Sequence, residues 1–184
     1  MKPPEVIETD RLRLRRPVME DAAAIFSTYA QDPEVARFVS WSVHSSVDVT
    51  RKFVEEDCVA GWKTGQVFPW LITLAAGGDV AGIIDLRPVA TRAEIGYVLA
   101  RRYWGRGLMT EAARAVVEWA LAERAIYRVW AVVDLENPAS QRVLEKVGMT
   151  REGVLRRWVV MPRQGPAPRD VWCFARVKER EATR

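Results

Sequence analysis

An α/β fold with a mixed, twisted sheet is what three features of this sequence predict. A strand–loop–helix–strand order runs from residue 94 to 133, the signature of a parallel crossover. A hairpin signal, Ala76-Gly77-Gly78-Asp79, separates two apolar runs, so antiparallel pairs belong to the same sheet. Val129 to Val133 is a short continuous apolar run, as expected where both sheet faces are covered.

The elements follow in order. Val6 to Arg15 alternates apolar and basic residues and reads as one strand, ended by Pro17. Glu20 to Ala30 reads as a helix with Ala23, Ile25, Phe26 and Tyr29 on one face. Asp32-Pro33 opens a second, short helix. Val47 to Thr64 is a longer helix capped by Ser45 or Ser46. Strands follow at Val67–Ala75, Val80–Leu86 and Arg92–Leu99. Thr110 to Arg124 is a helix with Ala112, Ala113, Val116 and Ala120 inward and an Arg114–Glu118 pair outside. Asn137 is the N-cap of the next helix, Pro138 its first residue and Gly148 its C-cap. Trp158–Met161 and Val171–Val177 are the last strands, joined by a mobile loop from Pro162 to Pro168.

At 184 residues the chain is expected to form one domain, 1–184. Its 49% hydrophobic residues suffice for a core, yet no apolar run reaches the roughly 18 residues of a membrane span. The N-terminal Met1-Lys2-Pro3-Pro4-Glu5 lacks the apolar stretch of a secretion signal, so a cytoplasmic site is expected. Cys58 and Cys173 are far apart and His44 is the only histidine, so no metal site is expected. The net charge of +4 comes without a Lys/Arg block. It reads as a solvated arginine-rich surface rather than a nucleic-acid arm.

The chemistry concentrates in Arg102-Tyr103-Trp104-Gly105-Arg106-Gly107-Leu108-Met109-Thr110, which leads from strand into helix. Alternate glycines leave backbone N–H groups unobstructed, and a helix start adds unpaired N–H groups with partial positive charge. Together they suit a phosphate or pyrophosphate. A dinucleotide loop wants a third glycine where Thr110 stands, and a Walker loop wants Gly-Lys-Ser/Thr where Gly107-Leu108-Met109 stands.

Arg102-x-x-Gly105-x-Gly107 resembles the acyl-CoA pyrophosphate loop of the GNAT superfamily of N-acetyltransferases. Asn137-Pro138-Ala139-Ser140-Gln141 through Gly148-Met149 is similar to its second cofactor motif. Thr9-Asp10-Arg11-Leu12-Arg13-Leu14-Arg15 and Asp32-Pro33-Glu34-Val35-Ala36-Arg37-Phe38 resemble the N-terminal signature of its ribosomal-protein N-acetyltransferase branch. The resemblance runs over roughly residues 9 to 177. It implies a GNAT-like domain with a sheet of about six to seven strands and a V-shaped cofactor cleft between the two central strands.

The same resemblance implies acetyl-CoA as cofactor and a primary amine as partner, most simply a ribosomal or other protein N-terminus. No membrane partner is expected, nucleic acid enters at most indirectly, and a homodimer is a possible assembly. Backbone groups of Trp104, Gly105, Arg106, Gly107, Leu108, Met109 and Thr110 would hold the pyrophosphate, with Arg102 or Arg106 adding charge. Val98 and Leu99 would pair with the pantetheine arm, one N–H facing the thioester oxygen. Asn137 and Ser140 would line the other side.

Glu94, on the strand entering the loop, is the candidate base. The superfamily's Tyr acid falls at Leu144 here, leaving Ser140 as the substitute. The Glu that some relatives place in the following strand finds Arg157-Trp158-Val159-Val160 instead. Trp41, His44, Trp158 and Trp172 are candidates for an aromatic substrate cleft, and Arg156, Arg157, Arg163 and Arg169 would repel polycations. The rival readings are a small-molecule amine acetyltransferase and a catalytically inactive acyl-CoA-binding module.

Overall fold

Leu12 and Leu14 are fully buried while Arg13 between them is exposed, and this alternation seats the N-terminal strand against the core. The computed structural model describes residues 1–179; the last five residues of the expected 1–184 domain lie outside the described part. In chain order the elements are β1 (Val6–Glu8), β2 (Leu12–Arg15), α1 (residues 22–30), α2 (residues 47–64), β3 (Phe68–Leu74), β4 (Val80–Val89) and β5 (Arg92–Leu99). α3 (Leu108–Ala122), β6 (Arg128–Asp134), α4 (Pro138–Lys146), β7 (Thr150–Val159) and β8 (Arg169–Val177) follow. All eight strands form one sheet in the order β1-β2-β3-β4-β5-β6-β8-β7. Every pairing is antiparallel except β5–β6.

Several features differ from the expectations. Val6–Arg15 is two strands, because Thr9 turns the chain: its N–H donates to the Leu12 carbonyl at 2.9 Å and its Oγ1 accepts from the Leu12 N–H at 3.1 Å. The helix expected from Thr110 starts at Leu108, directly after Gly107. Arg114 does not reach Glu118; its Nη2 donates to the Lys146 carbonyl at 2.9 Å and ties α3 to the end of α4. The strand expected at Trp158–Met161 spans Thr150–Val159. It is an edge strand with no buried position, so burial leaves no periodic trace in its sequence.

The sheet's two faces are covered differently. Trp70, Ile84, Leu86, Ile95 and Tyr97 share one face by register, and Trp119 of α3 lies 6.2 Å from Trp70 across it. Tyr97 reaches α4 on that face. The opposite face carries Asp85, Arg87, Glu94 and Gly96, and meets α1 and α2. Both helices contain a wide π-helical stretch, Phe26–Ala30 in α1 and Val54–Val59 in α2. α4 ends in a Schellman motif: Gly148 (φ 82°) donates to the Glu145 carbonyl and Met149 to that of Leu144. Among the described residues no helix is long and apolar enough to cross a membrane.

Candidate active site

The glycines of the loop after β5 adopt the conformation their type permits. Gly105 and Gly107 have φ of 74° and 75°, in the left-handed region where other residues are strained. None of the N–H groups of Gly105, Arg106 and Gly107 donates within the described residues. Those of Leu108, Met109 and Thr110 form the first turn of α3 and have no acceptor inside the helix. Three loop amides and three first-turn amides of a 15-residue helix thus offer donors that could hold an anion. Leu108 and Met109 bury their side chains in the core, so only their backbone is offered.

The basic residues frame the loop rather than fill it. Arg102 and Arg106 bring their guanidinium carbons to 4.9 and 5.8 Å from the Tyr103 ring centroid, and Arg102 Nη2 reaches the Val80 carbonyl at 3.4 Å. Trp104 folds back, its Nε1 donating to the Leu99 carbonyl at 2.7 Å.

The β1–β2 turn clamps this loop. Arg11 Nη1 donates to the Arg106 carbonyl at 3.0 Å, and its Nε donates to Glu111 Oε2 at 2.6 Å. The Thr9 hydroxyl and the Arg11 N–H donate to Glu111 Oε1 at 2.6 and 2.9 Å. Partial burial opposes ionisation of Glu111, but these hydrogen bonds hold its carboxyl below the ordinary value. The N-terminal signature thereby acquires a physical role: it fixes the first turn of α3. Arg11→Ala is expected to weaken acetyl-CoA binding about tenfold, equivalent to about 1.4 kcal/mol, measured by calorimetric titration. Unchanged affinity would mean the loop holds its shape unaided.

β5 and β6 pair only over Arg92–Glu94 and Arg128–Trp130, then part. Beyond that point they form a fork, one arm ending at Leu99 and the other at Asp134. The Ala100 N–H donates to the Ala81 carbonyl at 2.8 Å, which makes Gly82–Leu99 a non-hydrogen-bonded pair and Ile83–Val98 a bonded one. Val98 therefore turns its backbone toward β4. The fork-facing groups are the Tyr97 N–H and carbonyl and the Leu99 N–H, the Leu99 carbonyl being occupied by Trp104. Of the expected pair, Leu99 turns its N–H into the fork while the Val98 backbone is taken up by β4, and Tyr97 adds a fork-facing N–H and carbonyl.

On the α3–α4 side, Ser140 Oγ lies 2.8 Å from the Tyr97 hydroxyl. Burial pushes the Tyr97 phenol well up, with the Ser140 bond opposing. Asn137 spends its side-chain oxygen on the Ser140 N–H at 3.1 Å, as a helix cap. Leu144 is buried, so α4 carries no acid there. Tyr97 was not among the sequence candidates; its relation to Ser140 depends on α4 crossing the fork.

On the α1–α2 side, Glu94 faces Arg87, and burial raises its carboxyl while Arg87 lowers it. Beside it stands Asp85, opposite Gly96, which the sequence did not single out because a strand carboxylate looks solvated until its partners are known. Burial pushes Asp85 up to about 7, Arg87 opposing and Glu94 adding. Trp130 pairs with Glu94 and brings a half-buried indole to this face. Glu152, near the start of β7, is bonded by Arg128 Nη1 at 2.7 Å and held below its ordinary value, first by that hydrogen bond.

The expected aromatic cleft is divided. Trp41 and His44 belong together, ring centroids 5.3 Å apart, with His44 Nδ1 2.8 Å from Thr50 Oγ1 and burial lowering its pKa. Trp172 sits on the α3–α4 face opposite Val133, with the Arg151 guanidinium 4.4 Å from its ring. Trp158 is 53% exposed in a bulge of β7 where Arg157 has φ 48°. The loop expected to be mobile carries a short 3₁₀ turn, Pro162–Gln164, and Gln164 Nε2 donates to the Arg37 carbonyl at 3.3 Å.

Residues 11–150 match the acetyltransferase (GNAT) domain family. YoaA of Bacillus subtilis (strain 168), an uncharacterized N-acetyltransferase, is 32% identical over 179 residues, covering 96% of this chain and 98% of its own. A GNAT-family acetyltransferase from Bacillus anthracis superposes with a TM-score of 0.82 at 26% identity, over 95% of this chain and 99% of that one. Mycobacterium smegmatis RimJ in complex with CoA-disulfide superposes with a TM-score of 0.80 at 25% identity, over 90% and 81%.

Proposed function

The chain belongs to the GNAT acetyltransferase family, and from that premise we propose that it acetylates the α-amine of a protein or peptide N-terminus by direct attack within a ternary complex. Family membership makes it an N-acetyltransferase with acetyl-CoA as co-substrate. The observation that carries the finer reading is the fork with unlike chemistry on its two faces. The six loop amides and the Tyr97–Ser140 pair stand on the helix side of α3 and α4, where they suit the pyrophosphate and the departing sulfur. The carboxylates Asp85 and Glu94 stand on the other side, where they suit a cationic amine.

In this reading the amides from Gly105 to Thr110 hold the pyrophosphate, and the Tyr97 and Leu99 backbone groups pair with the pantetheine arm. The Leu99 N–H faces the thioester oxygen, where the oxyanion develops. The raised phenol keeps its proton, so Tyr97 and Ser140 donate hydrogen bonds to the thiolate rather than ionise. An α-amine titrates near 8 and an alkyl amine near 10, so the α-amine needs less help at neutral pH. Arginines on the last hairpin and its loop, Arg156, Arg157 and Arg163, disfavour polycationic acceptors.

The test has two stages. Acetyl-CoA or CoA at about 100 times its Kd should raise Tm by roughly 5–10 °C, while ATP and NAD at the same concentration should not. A shift with NAD or ATP alone would remove the loop assignment. Initial rates against peptides with free N-termini and a panel of small amines should favour the peptides and give intersecting double-reciprocal lines. Parallel lines would rule out direct attack, and preference for a small amine would move the substrate class.

A further inference from the structure

Resting on this acetyl-transfer reading, we propose that Asp85, rather than Glu94, takes the proton from the incoming amine. The β5–β6 ladder ends at the Glu94–Trp130 pair, so Glu94 lies at the closed apex of the fork. Asp85 stands opposite Gly96, two residues further toward the glycine loop. At about 3.3 Å per residue that is about 6–7 Å into the part where the strands have parted.

Gly96 leaves room for this carboxylate against β5: a Cβ there would lie 3.3 and 3.4 Å from the two Asp85 oxygens and 3.1 Å from Arg87 Nη1, so any larger residue would press on the pair. The Arg87 guanidinium holds the carboxylate, and a Gly96 backbone hydrogen bond also favours its charged form. Arg87 Nη2 donates to Oδ2 at 2.9 Å, while Nη1 lies 2.9 Å from Oδ1 without hydrogen-bond alignment. Asp85 Oδ1 is buried and has no hydrogen-bond partner among the described residues. A second such orphan, the Tyr29 hydroxyl of α1, belongs to the layer packed on β4.

The charged and titratable groups around Asp85 are Arg87 on its own strand, Glu94 on β5 and the Cys58 thiol of α2. Cys58 is pushed far up by burial and stays neutral, so Arg87 and Glu94 set the local charge. A carboxyl titrating near 7 matches a proton acceptor working at neutral pH.

The step balances as follows. The ammonium gives one proton to the Asp85 carboxylate, forming a carboxylic acid and a neutral amine. The nitrogen lone pair attacks the thioester carbon, the C–N bond forms, and the carbonyl π pair moves to oxygen. Collapse breaks the C–S bond and leaves its electrons on the CoA sulfur. The second nitrogen proton passes to that thiolate, giving free CoA, and Asp85 returns its proton to solvent.

The experiment compares wild type, Asp85→Asn and Glu94→Gln by kcat/KM from pH 5.5 to 9.5, using acetyl-CoA and a tetrapeptide with a free N-terminal serine. Wild type should show one limb near 7 and the limb of the amine near 8. Asp85→Asn should lower kcat at pH 7 by about 100-fold or more, lose the limb near 7 and bind acetyl-CoA within about twofold of wild type. In Glu94→Gln the limb should persist at lower pH, because a neighbouring negative charge is gone. Loss of the limb in Glu94→Gln with its retention in Asp85→Asn would return the role to Glu94.

Stability gives a readout without substrate. Asp85 holds its proton more tightly folded than unfolded (about 3.9), so its stabilising contribution is full below about pH 4 and is lost as pH rises through about 7. Asp85→Asn should remove that slope, and its persistence would overturn the assignment. A wild type that binds acetyl-CoA but acetylates no amine would overturn the functional reading itself, an outcome distinct from normal turnover in Asp85→Asn.

Discussion

Replacing Gly105 and Gly107 together by alanine is expected to abolish measurable acetyl-CoA binding, a loss of at least about 100-fold (about 2.7 kcal/mol), while leaving the fold intact. The two effects separate because of where the new methyl groups would lie. A Cβ at Gly105 meets no protein atom within 4 Å, and one at Gly107 meets only Arg11 Nη2 at 3.6 Å. The protein thus loses only the backbone preference, about 1–2 kcal/mol per residue held at positive φ. At roughly 2–4 °C per kcal/mol that is a Tm drop of about 4–16 °C. The ligand meets both methyl groups in the space its phosphates need, and any relaxation toward negative φ turns the amides away. Calorimetric titration beside thermal melts would decide it: a folded double variant with wild-type affinity would remove the loop from the cofactor site.

The second large effect is expected at the end of β6. Asp134 is fully buried and accepts from Arg169 Nε and Nη2 and from the Glu136 N–H. Arg169→Met leaves that carboxylate buried without its cation. Breaking a buried pair in this way costs about 3–5 kcal/mol, or a Tm drop of about 6–20 °C. Adding Asp134→Asn should restore part of the loss, because the remaining side chain is neutral and can still accept from the Glu136 N–H. Activity should fall even where the protein folds, since Asp134 ends one arm of the fork and leads into the Asn137 cap of α4. A Tm within about 2 °C of wild type for Arg169→Met would show that water replaces the guanidinium.

What could be read in advance was local. The glycine loop and the Asn137–Pro138 start of α4 depend on neighbours within a few residues and lie where expected, while the helix after the loop exists as expected but begins two residues early, at Leu108. The family resemblance supplied the cleft and the cofactor. The β1–β2 turn escaped because Thr9-Asp10-Arg11 contains neither glycine nor proline, and apolar–basic alternation runs on through it. Asp85 and Tyr97 escaped for another reason. Asp85 matters because Gly96 lies across from it, and Tyr97 because Ser140 reaches it from 43 positions away. Such relations are properties of register and helix placement, and no single window of sequence contains them. The tryptophans show the converse: Trp172 and Trp158 are near neighbours in sequence to a shared hairpin, yet one lies under Arg151 and the other in solvent.

The three residue pairs that join β5 to β6 are also a mechanical fact. That short ladder is the one seam in the sheet's order between the five strands β1 to β5 and the three strands β6, β8 and β7. A pantetheine chain lying in the fork would act as a strut, bonding one arm and bracing the other. Amide exchange at Tyr97 and Leu99 should therefore slow when acetyl-CoA binds, and the strands β6, β8 and β7 should become harder to pull away. On that footing the cofactor would serve as a removable piece of the architecture as well as the source of the acetyl group.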